Sequence, residues 1–193
     1  LPICWKLKNL IFTTAHASGI DLDLGGHFIN VKVTNSSSTA NRDAIRPFSG
    51  GLVSGCEAIS TKGEAVTLTG ANIKIVSSYV HDSLTGIQFG GADDAVIYGN
   101  VIETCVKGIN ITTSADDSFV ANNTFYNCTN AITAGATNDN WVIINNILDA
   151  NINGIIWGDA DKSRFVDFNL WDNTTDVDSN SSKGPNAVTS DPS

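Results

Sequence analysis

Several features that define common protein classes are missing from this chain of 193 residues. No apolar run approaches the roughly 20 residues of a membrane-spanning helix, so insertion into a membrane is not expected. The start of the chain carries Lys6 and Lys8 within its apolar part, unlike a secretion signal. The sequence contains no methionine and stops at Ser193 without a closing element, and we therefore expect it to be part of a longer protein.

Basic residues are scarce, with 11 Lys and Arg against 20 Asp and Glu, which gives a net charge of −9. A surface of this sign repels nucleic acid and anionic lipid. Neutral glycans, cations and protein surfaces remain as partners. Hydrophobic residues make up 41% of the chain, which is enough for a continuous core and excludes a disordered chain.

The cysteines Cys4, Cys56, Cys105 and Cys128 match neither a disulfide scaffold nor a metal-binding spacing. Cys105 and Cys128 occupy equivalent positions of the repeat described next. We interpret them as small buried residues in one column, with a disulfide between them as the alternative. No Ser/His/Asp spacing, nucleotide-binding loop or pair of metal ligands stands out in the sequence.

A repeat of 22 or 23 residues dominates the sequence. The segment Asp94 to Asn100 aligns without gaps with Asp117 to Asn123 and with Asn140 to Asn146. A further apolar position follows each segment, and a Gly-Ile or Ala-Ile pair comes after it. A β-α-β unit needs about 30 residues, whereas three short strands joined by turns fit the observed period. The repeat therefore predicts a solenoid of β-strands.

Stacked repeats place equivalent residues about 4.8 Å apart, which is the spacing of strands in a sheet. The apolar positions then form three inward-facing columns, which predicts three parallel sheets. The first column contains Ile75, Ile97, Val120, Ile143 and Val166; the second contains Val80, Ile102, Phe125, Leu148 and Trp171; the third contains Ile87, Ile109, Ile132 and Ile155.

An asparagine recurs between the first and second strands of each repeat. At this place an Asn can adopt a left-handed turn conformation, and its amide can bond to the Asn of the next coil. We therefore assign a structural role to this asparagine ladder, which consists of Asn100, Asn123, Asn146 and Asn169.

The pattern apolar-x-x-Asn-x-apolar, followed by Gly-Ile-x-apolar, resembles the right-handed parallel β-helix repeats of the pectate-lyase-like superfamily. The resemblance implies an all-β, right-handed parallel β-helix with three sheets and about eight coils, forming a single domain over residues 1–193. We expect irregular coils over residues 1–70, with a loop insertion near 34–47. Regular coils are expected over 72–172 and an irregular C-terminal tail over 173–193.

Enzymes of this superfamily usually act on the outer face of one sheet. In this chain the outward positions that follow the second column predict a polar stripe with an aromatic ring in its middle. Glu103 and Asp149 would lie roughly 9–10 Å apart, near the separation of acid and base in an inverting glycosidase. With His81 they are candidate catalytic residues, and Tyr126 joins them as a candidate substrate-binding residue. A merely solvated polar face is the alternative. The stripe consists of His81, Glu103, Tyr126, Asp149 and Asp172.

Acidic residues also precede the first strand of successive repeats. Asp94, Asp117 and Asp139 are candidate ligands for Ca²⁺, which takes six to eight oxygen atoms. Asp is also common in turns, because its side chain bonds to nearby backbone. The alternatives are therefore a calcium site and solvated turns without any cofactor.

The polygalacturonase-like signatures Asn-Thr-Asp, Gly-His-Gly and Arg-Ile-Lys are absent from the sequence. We therefore favour a rigid, non-catalytic β-helix on the outside of a cell or virion, of the phage tailspike, fibre or capsid-decoration type. Its partners would be a cell-surface glycan or proteins of a larger assembly. A polysaccharide lyase or glycoside hydrolase is the first alternative. The second is an assembly module that stacks through its β-helix ends into a homo-oligomer such as a trimer.

Overall fold

Short β-strands are the only regular structure in the described part of the chain. The computed structural model describes residues 6–14, 20–22, 26–37, 42–112, 115–135, 139–158, 164–178 and 182–189. The strands within these ranges are two to five residues long. No helix in the described part is long and apolar enough to cross a membrane.

The strands are numbered in chain order. They are β1 (Lys6–Lys8), β2 (Ile11–Thr14), β3 (Ile20–Leu22), β4 (His27–Ile29), β5 (Lys32–Asn35), β6 (Ile45–Pro47), β7 (Leu52–Ser54), β8 (Glu57–Ser60), β9 (Glu64–Leu68), β10 (Lys74–Val76), β11 (Tyr79–His81), β12 (Thr85–Phe89), β13 (Val96–Tyr98), β14 (Val101–Glu103), β15 (Lys107–Ile111), β16 (Phe119–Ala121), β17 (Thr124–Tyr126), β18 (Asn130–Ala134), β19 (Trp141–Ile144), β20 (Ile147–Asp149), β21 (Asn153–Trp157), β22 (Arg164–Asp167), β23 (Leu170–Asp172), β24 (Thr175–Val177) and β25 (Val188–Thr189).

Three parallel sheets form because every third strand joins the same sheet. Sheet 1 has the order β1-β4-β7-β10-β13-β16-β19-β22. Sheet 2 has the order β2-β5-β8-β11-β14-β17-β20-β23-β25, and sheet 3 runs from β3 to β24 in the same manner. Neighbouring strands pair in parallel throughout, as in β13 with β16. The prediction of an all-β, three-sheet parallel β-helix is confirmed.

The three predicted inward columns form the core. Ile97 pairs in register with Ile75 on one side and with Val120 on the other, and the second and third columns are paired in the same way. All members of the columns are buried except Val166, which is half-buried and packs against the core. Full burial of such a side chain contributes about 1.5–3 kcal/mol, so the columns are the main source of stability.

The asparagine ladder runs through the turn between sheets 1 and 2, and all four members are buried. Nδ2 of Asn100 donates to Oδ1 of Asn123 over 2.9 Å, and equivalent bonds of 3.0 Å join Asn123 to Asn146 and Asn146 to Asn169. Each accepting Oδ1 also receives the backbone N–H of the asparagine in the preceding coil. Nδ2 of Asn123 donates in addition to the carbonyl of Ile97. The ladder therefore satisfies buried backbone groups as well as its own amides.

The left-handed residue of this turn differs from the one that the sequence suggested. It is the residue before each ladder asparagine, with φ of +65° at Gly99, +56° at Asn122, +54° at Asn145 and +54° at Phe168. The ladder asparagines themselves are not in this region. Because the ladder side chain must point into the turn to reach the next coil, the change of chain direction is made by the residue that precedes it.

Strands extend into both regions that the sequence marked as irregular. β5 continues through Asn35 and β6 begins at Ile45, which leaves less room for a loop insertion than residues 34–47. Part of this insertion, residues 38–41, lies outside the described residues. The predicted C-terminal tail contains β24 and β25, which extend sheets 3 and 2. The coils there differ in length, so the period fades in the sequence. The chain nevertheless continues to add strands to the sheets.

Replacing one member of the ladder tests its contribution to stability. We expect Asn123→Ala to lower the free energy of unfolding by roughly 2–4 kcal/mol, because each buried polar group left without a partner costs about 1–3 kcal/mol. Urea unfolding followed by circular dichroism measures this change. The matched control is Asn122→Gly, an exposed neighbour with positive φ, where glycine is equally suited and little change is expected. Equal effects of the two substitutions would contradict a structural role for the ladder.

Candidate functional site

The predicted stripe lies on the outer face of sheet 2. His81 pairs in register with Glu103, Glu103 with Tyr126, Tyr126 with Asp149, and Asp149 with Asp172. The structure thus places all five residues in the predicted order on five successive strands. Their surroundings divide the stripe into two parts of different chemistry.

His81 is held in a network of side chains rather than open to a ligand. Its ring stacks on Tyr79, with 4.0 Å between the ring centroids and 20° between the ring planes. Nδ1 lies 2.8 Å from Oδ2 of Asp82, and Nε2 lies 3.3 Å from Oε1 of Glu57. The residue is only 9% exposed. Because both ring nitrogens face carboxylates, His81 is poorly placed to act as a catalytic base.

Glu103 belongs to the same network through the hydroxyl of Tyr79. This hydroxyl donates a hydrogen bond to Oε1 of Glu103, which is the main reason that the pKa of Tyr79 is raised to about 12. On the other side of the network, the ammonium of Lys32 pairs with Glu57, and this hydrogen bond lowers the pKa of Glu57. The N-terminal part of the stripe is therefore a set of mutually satisfied charges and hydrogen bonds.

Four residues of this region were not predicted from the sequence, namely Lys32, Glu57, Tyr79 and Asp82. Residues i and i+2 of a strand share a face, so Tyr79 could have been found from its position two residues before His81. Lys32 and Glu57 lie in the less regular coils, where the repeat could not be aligned. Asp82 has a positive φ of 50° and belongs to the turn after β11.

The C-terminal part of the stripe has fewer internal hydrogen bonds. Tyr126 is 45% exposed, and its ring occupies the strand between those of Glu103 and Asp149. Within the described residues, neither the Tyr126 hydroxyl nor the Asp149 carboxylate has a hydrogen-bond partner from another side chain or the backbone. An open cavity of about 290 Å³ adjoins this region. It is lined by Ala150, Asn151, Asp172, Asn173 and Thr174.

The candidate calcium ligands lie in the turn from sheet 3 to sheet 1 without forming one group. Asp94 and Asp117 are exposed turn residues with φ of +53° and +55°. Asp139 aligns instead with Asp116, whose Oδ1 accepts its backbone N–H over 2.7 Å. Among the described residues, no group of three or more His, Cys, Asp or Glu side chains is placed to hold a metal ion. The Asp93 and Asp116 carboxylates thus accept hydrogen bonds from the backbone of the next coil.

The described cysteines are free thiols in the core. Cys105 and Cys128 are buried and unpaired by any disulfide, which confirms the interpretation of a column of small buried residues. A hydrogen bond between the two thiols raises the pKa of Cys105 and lowers that of Cys128. Cys56 is likewise free and buried, whereas Cys4 lies outside the described residues.

The three parallel sheets define a parallel β-helix protein, and the polar stripe from His81 to Asp172 lies on the outer face of one of them. Residues 25–190 match the model of a family described as periplasmic copper-binding protein (NosD). The match covers most of the chain, so the protein belongs to the NosD family, whose members share the parallel β-helix fold of the pectate-lyase-like proteins. No curated protein and no solved structure matches the chain.

The family description names copper, but the described residues contain no suitable set of copper ligands. Copper is bound in proteins by imidazole nitrogen and by Cys or Met sulfur. His27 lies in sheet 1 and His81 in sheet 2, so the two imidazoles are on different faces. The three described cysteines are buried, and the sequence contains no methionine. The described part of the chain therefore does not form a recognisable copper site.

Substituting Glu103 tests the network through the titration of Tyr79. We expect Glu103→Gln to lower the pKa of Tyr79 from about 12 toward the ordinary value of 10, because the charged acceptor is lost. The pKa of Tyr79 is raised only in the folded state, so its hydrogen bond to Glu103 stabilises the folded protein below about pH 10. This contribution to the free energy of unfolding is lost between about pH 10 and 12. Ultraviolet difference spectroscopy follows the titration. Asp149→Asn is the control and should leave Tyr79 unchanged; an unchanged titration in Glu103→Gln would contradict the network.

Proposed function

We propose that this chain is a rigid, non-catalytic β-helix domain of the periplasm or cell surface that binds a glycan on the outer face of sheet 2. The observation that carries the proposal is the exposed ring of Tyr126, which lies in register between Glu103 and Asp149. The ring and the two carboxylates follow one another along the helix axis at the strand spacing of about 4.8 Å.

Each part of this surface suits a sugar. An aromatic ring offers a flat apolar surface with a polar hydroxyl at its edge, which matches the C–H face and hydroxyl groups of a pyranose. Ionised carboxylates accept hydrogen bonds from sugar hydroxyls. Val101 and Ile147 are exposed on the same face and add apolar contact area. The net charge of −9 favours a neutral glycan over an acidic one.

The family description supports a periplasmic location for this domain. A position on a virion surface, as in a tailspike, would use the same outer face, and the family match favours the periplasm instead. In both settings, the continuous columns of the core provide a stiff support, so that the ligand meets side chains already held at the strand spacing.

Substituting Tyr126 tests the proposed glycan site. We expect Tyr126→Ala to weaken binding about tenfold or more, since loss of roughly 1.4 kcal/mol of stacking corresponds to a factor of ten. A glycan array would identify a ligand, and calorimetry would measure its affinity. The matched control is Tyr98→Ala, because Tyr98 on sheet 1 is 44% exposed, close to the 45% of Tyr126. Absence of any glycan ligand, or equal loss in both variants, would contradict the proposal.

A glycoside hydrolase remains the second candidate, because Glu103 and Asp149 lie on one face two coils apart. One feature speaks against it, because the Glu103 carboxylate already accepts a hydrogen bond from Tyr79.

A direct assay separates the two candidates. We expect no release of reducing ends from neutral polysaccharides by the wild-type chain. Should release occur, and should the double variant Glu103→Gln with Asp149→Asn abolish it while keeping its circular dichroism spectrum, the domain would be a hydrolase and the non-catalytic proposal would be wrong.

A further inference from the structure

The outer face of sheet 1 is mainly apolar over five consecutive strands, β10, β13, β16, β19 and β22, and its charged outward residues are Lys74 at one end and the buried Asp167 at the other. All six outward positions of β13, β16 and β19 are uncharged. Register pairs the outward residues of neighbouring strands, so they form two continuous rows along the helix axis. We name this surface the sheet 1 apolar face. It consists of Val76, Val96, Tyr98, Phe119, Val142, Ile144 and Phe165, together with Ala121, which is itself buried.

This composition is unusual for the outside of the β-helix. The outward positions of sheet 3 include Thr67, Gln88, Asn110 and Thr133, and Nδ2 of Asn110 donates to Oε1 of Gln88. Single exposed apolar residues are common on protein surfaces, whereas a contiguous apolar patch marks a binding surface. Phe165, at the C-terminal end of the sheet 1 apolar face, is 52% exposed.

The two long edges of the sheet 1 apolar face differ in charge. The turns that enter β13, β16 and β19 from sheet 3 are acidic, whereas the turns toward sheet 2 contain uncharged residues such as Asn122 and Asn145. None of the ion pairs between described residues involves Asp93, Asp94, Asp116 or Asp117. We name the entering turn the acidic edge. It consists of Asp93, Asp94, Asp116, Asp117 and Asp139.

We propose that the sheet 1 apolar face docks an amphipathic helix of a protein partner, with a basic flank of that helix along the acidic edge. The five strands span four steps of about 4.8 Å, or roughly 19 Å in total. At 1.5 Å per residue, a helix of about 13 residues covers this length. Its apolar side contacts the row that contains Phe119 and Val142 and the neighbouring row that contains Tyr98 and Ile144, and its Lys or Arg side chains pair with the carboxylates.

Charge and polarity favour a basic amphipathic helix over the other possible ligands of the sheet 1 apolar face. A second copy of the chain has the same net charge of −9 and is repelled at long range, as is an anionic membrane. A glycan needs hydrogen-bonding groups, which Phe119, Val142 and Ile144 at the centre of the face lack. A basic amphipathic helix matches both the apolar rows and the acidic edge. The surface is on a different sheet from the proposed glycan site, so the two proposals stand or fall separately.

A designed peptide tests the docking surface. The probe is a fluorescein-labelled peptide of 14 residues, built from Leu and Lys in an amphipathic helical order, and binding is followed by fluorescence anisotropy. We expect Phe165→Asp to weaken binding about tenfold or more. The sign of this change is informative, because an added negative charge would strengthen a merely electrostatic attraction to a basic peptide.

Matched variants locate the effect. Tyr126→Asp adds the same charge at a similarly exposed aromatic residue on sheet 2 and should not weaken binding. The double variant Asp94→Asn with Asp117→Asn should weaken binding and reduce its dependence on salt, and Asn is suited to the positive φ of both positions. If Phe165→Asp does not fold, Tyr98→Glu on the same face provides the equivalent test.

Three results would overturn the proposal. The first is unchanged or tighter peptide binding by Phe165→Asp, and the second is an equal loss in Tyr126→Asp. The third is self-association of the wild-type chain in sedimentation analysis that Phe165→Asp abolishes, because a second copy would then cover the face.

Discussion

The buried amide ladder is the interaction on which the arrangement of the coils depends. Each ladder asparagine bonds to the amide of the next coil and to buried backbone groups, so one coil has only one satisfied alignment with its neighbour. A slip of one residue would place an amide in the apolar core and turn every side chain of a strand to the opposite face. The ladder thus determines that Tyr126 lies in line with Glu103 and Asp149, and that Phe119 lies in line with Val142.

The β-helix separates stability from surface chemistry. The inward columns and turn ladders hold the coils together, and the outward positions contribute less to this task. Sheet 2 can therefore carry an aromatic ring between carboxylates, while sheet 1 carries apolar rows beside an acidic edge. Membership of the NosD family identifies the fold, whereas function depends on residues placed on these faces.

Much of the fold could be predicted because the period appears directly in the sequence. Ile97, Val120 and Ile143 recur every 23 residues, and stacking them predicts both a column and a sheet. The left-handed turn was assigned to the wrong residue, since the sequence pattern marks the asparagine and does not show that Gly99 or Asn122 makes the change of direction. The stripe of sheet 2 was predicted from the alternation of strand residues. The sequence did not show that the Tyr79 hydroxyl donates a hydrogen bond to the Glu103 carboxylate.

The sequence by itself determined which residues face inward, because a repeat of constant length in parallel strands has a single way to bury its apolar positions. Tertiary structure alone decided which outward side chains bond to one another across coils of unequal length. Lys32, Glu57 and His81 are separated by 24 or 25 residues, in coils whose lengths differ, and they meet only after the chain has wound once around the axis. Contacts of this kind depend on side-chain direction and on the length of each coil, which a sequence pattern does not contain.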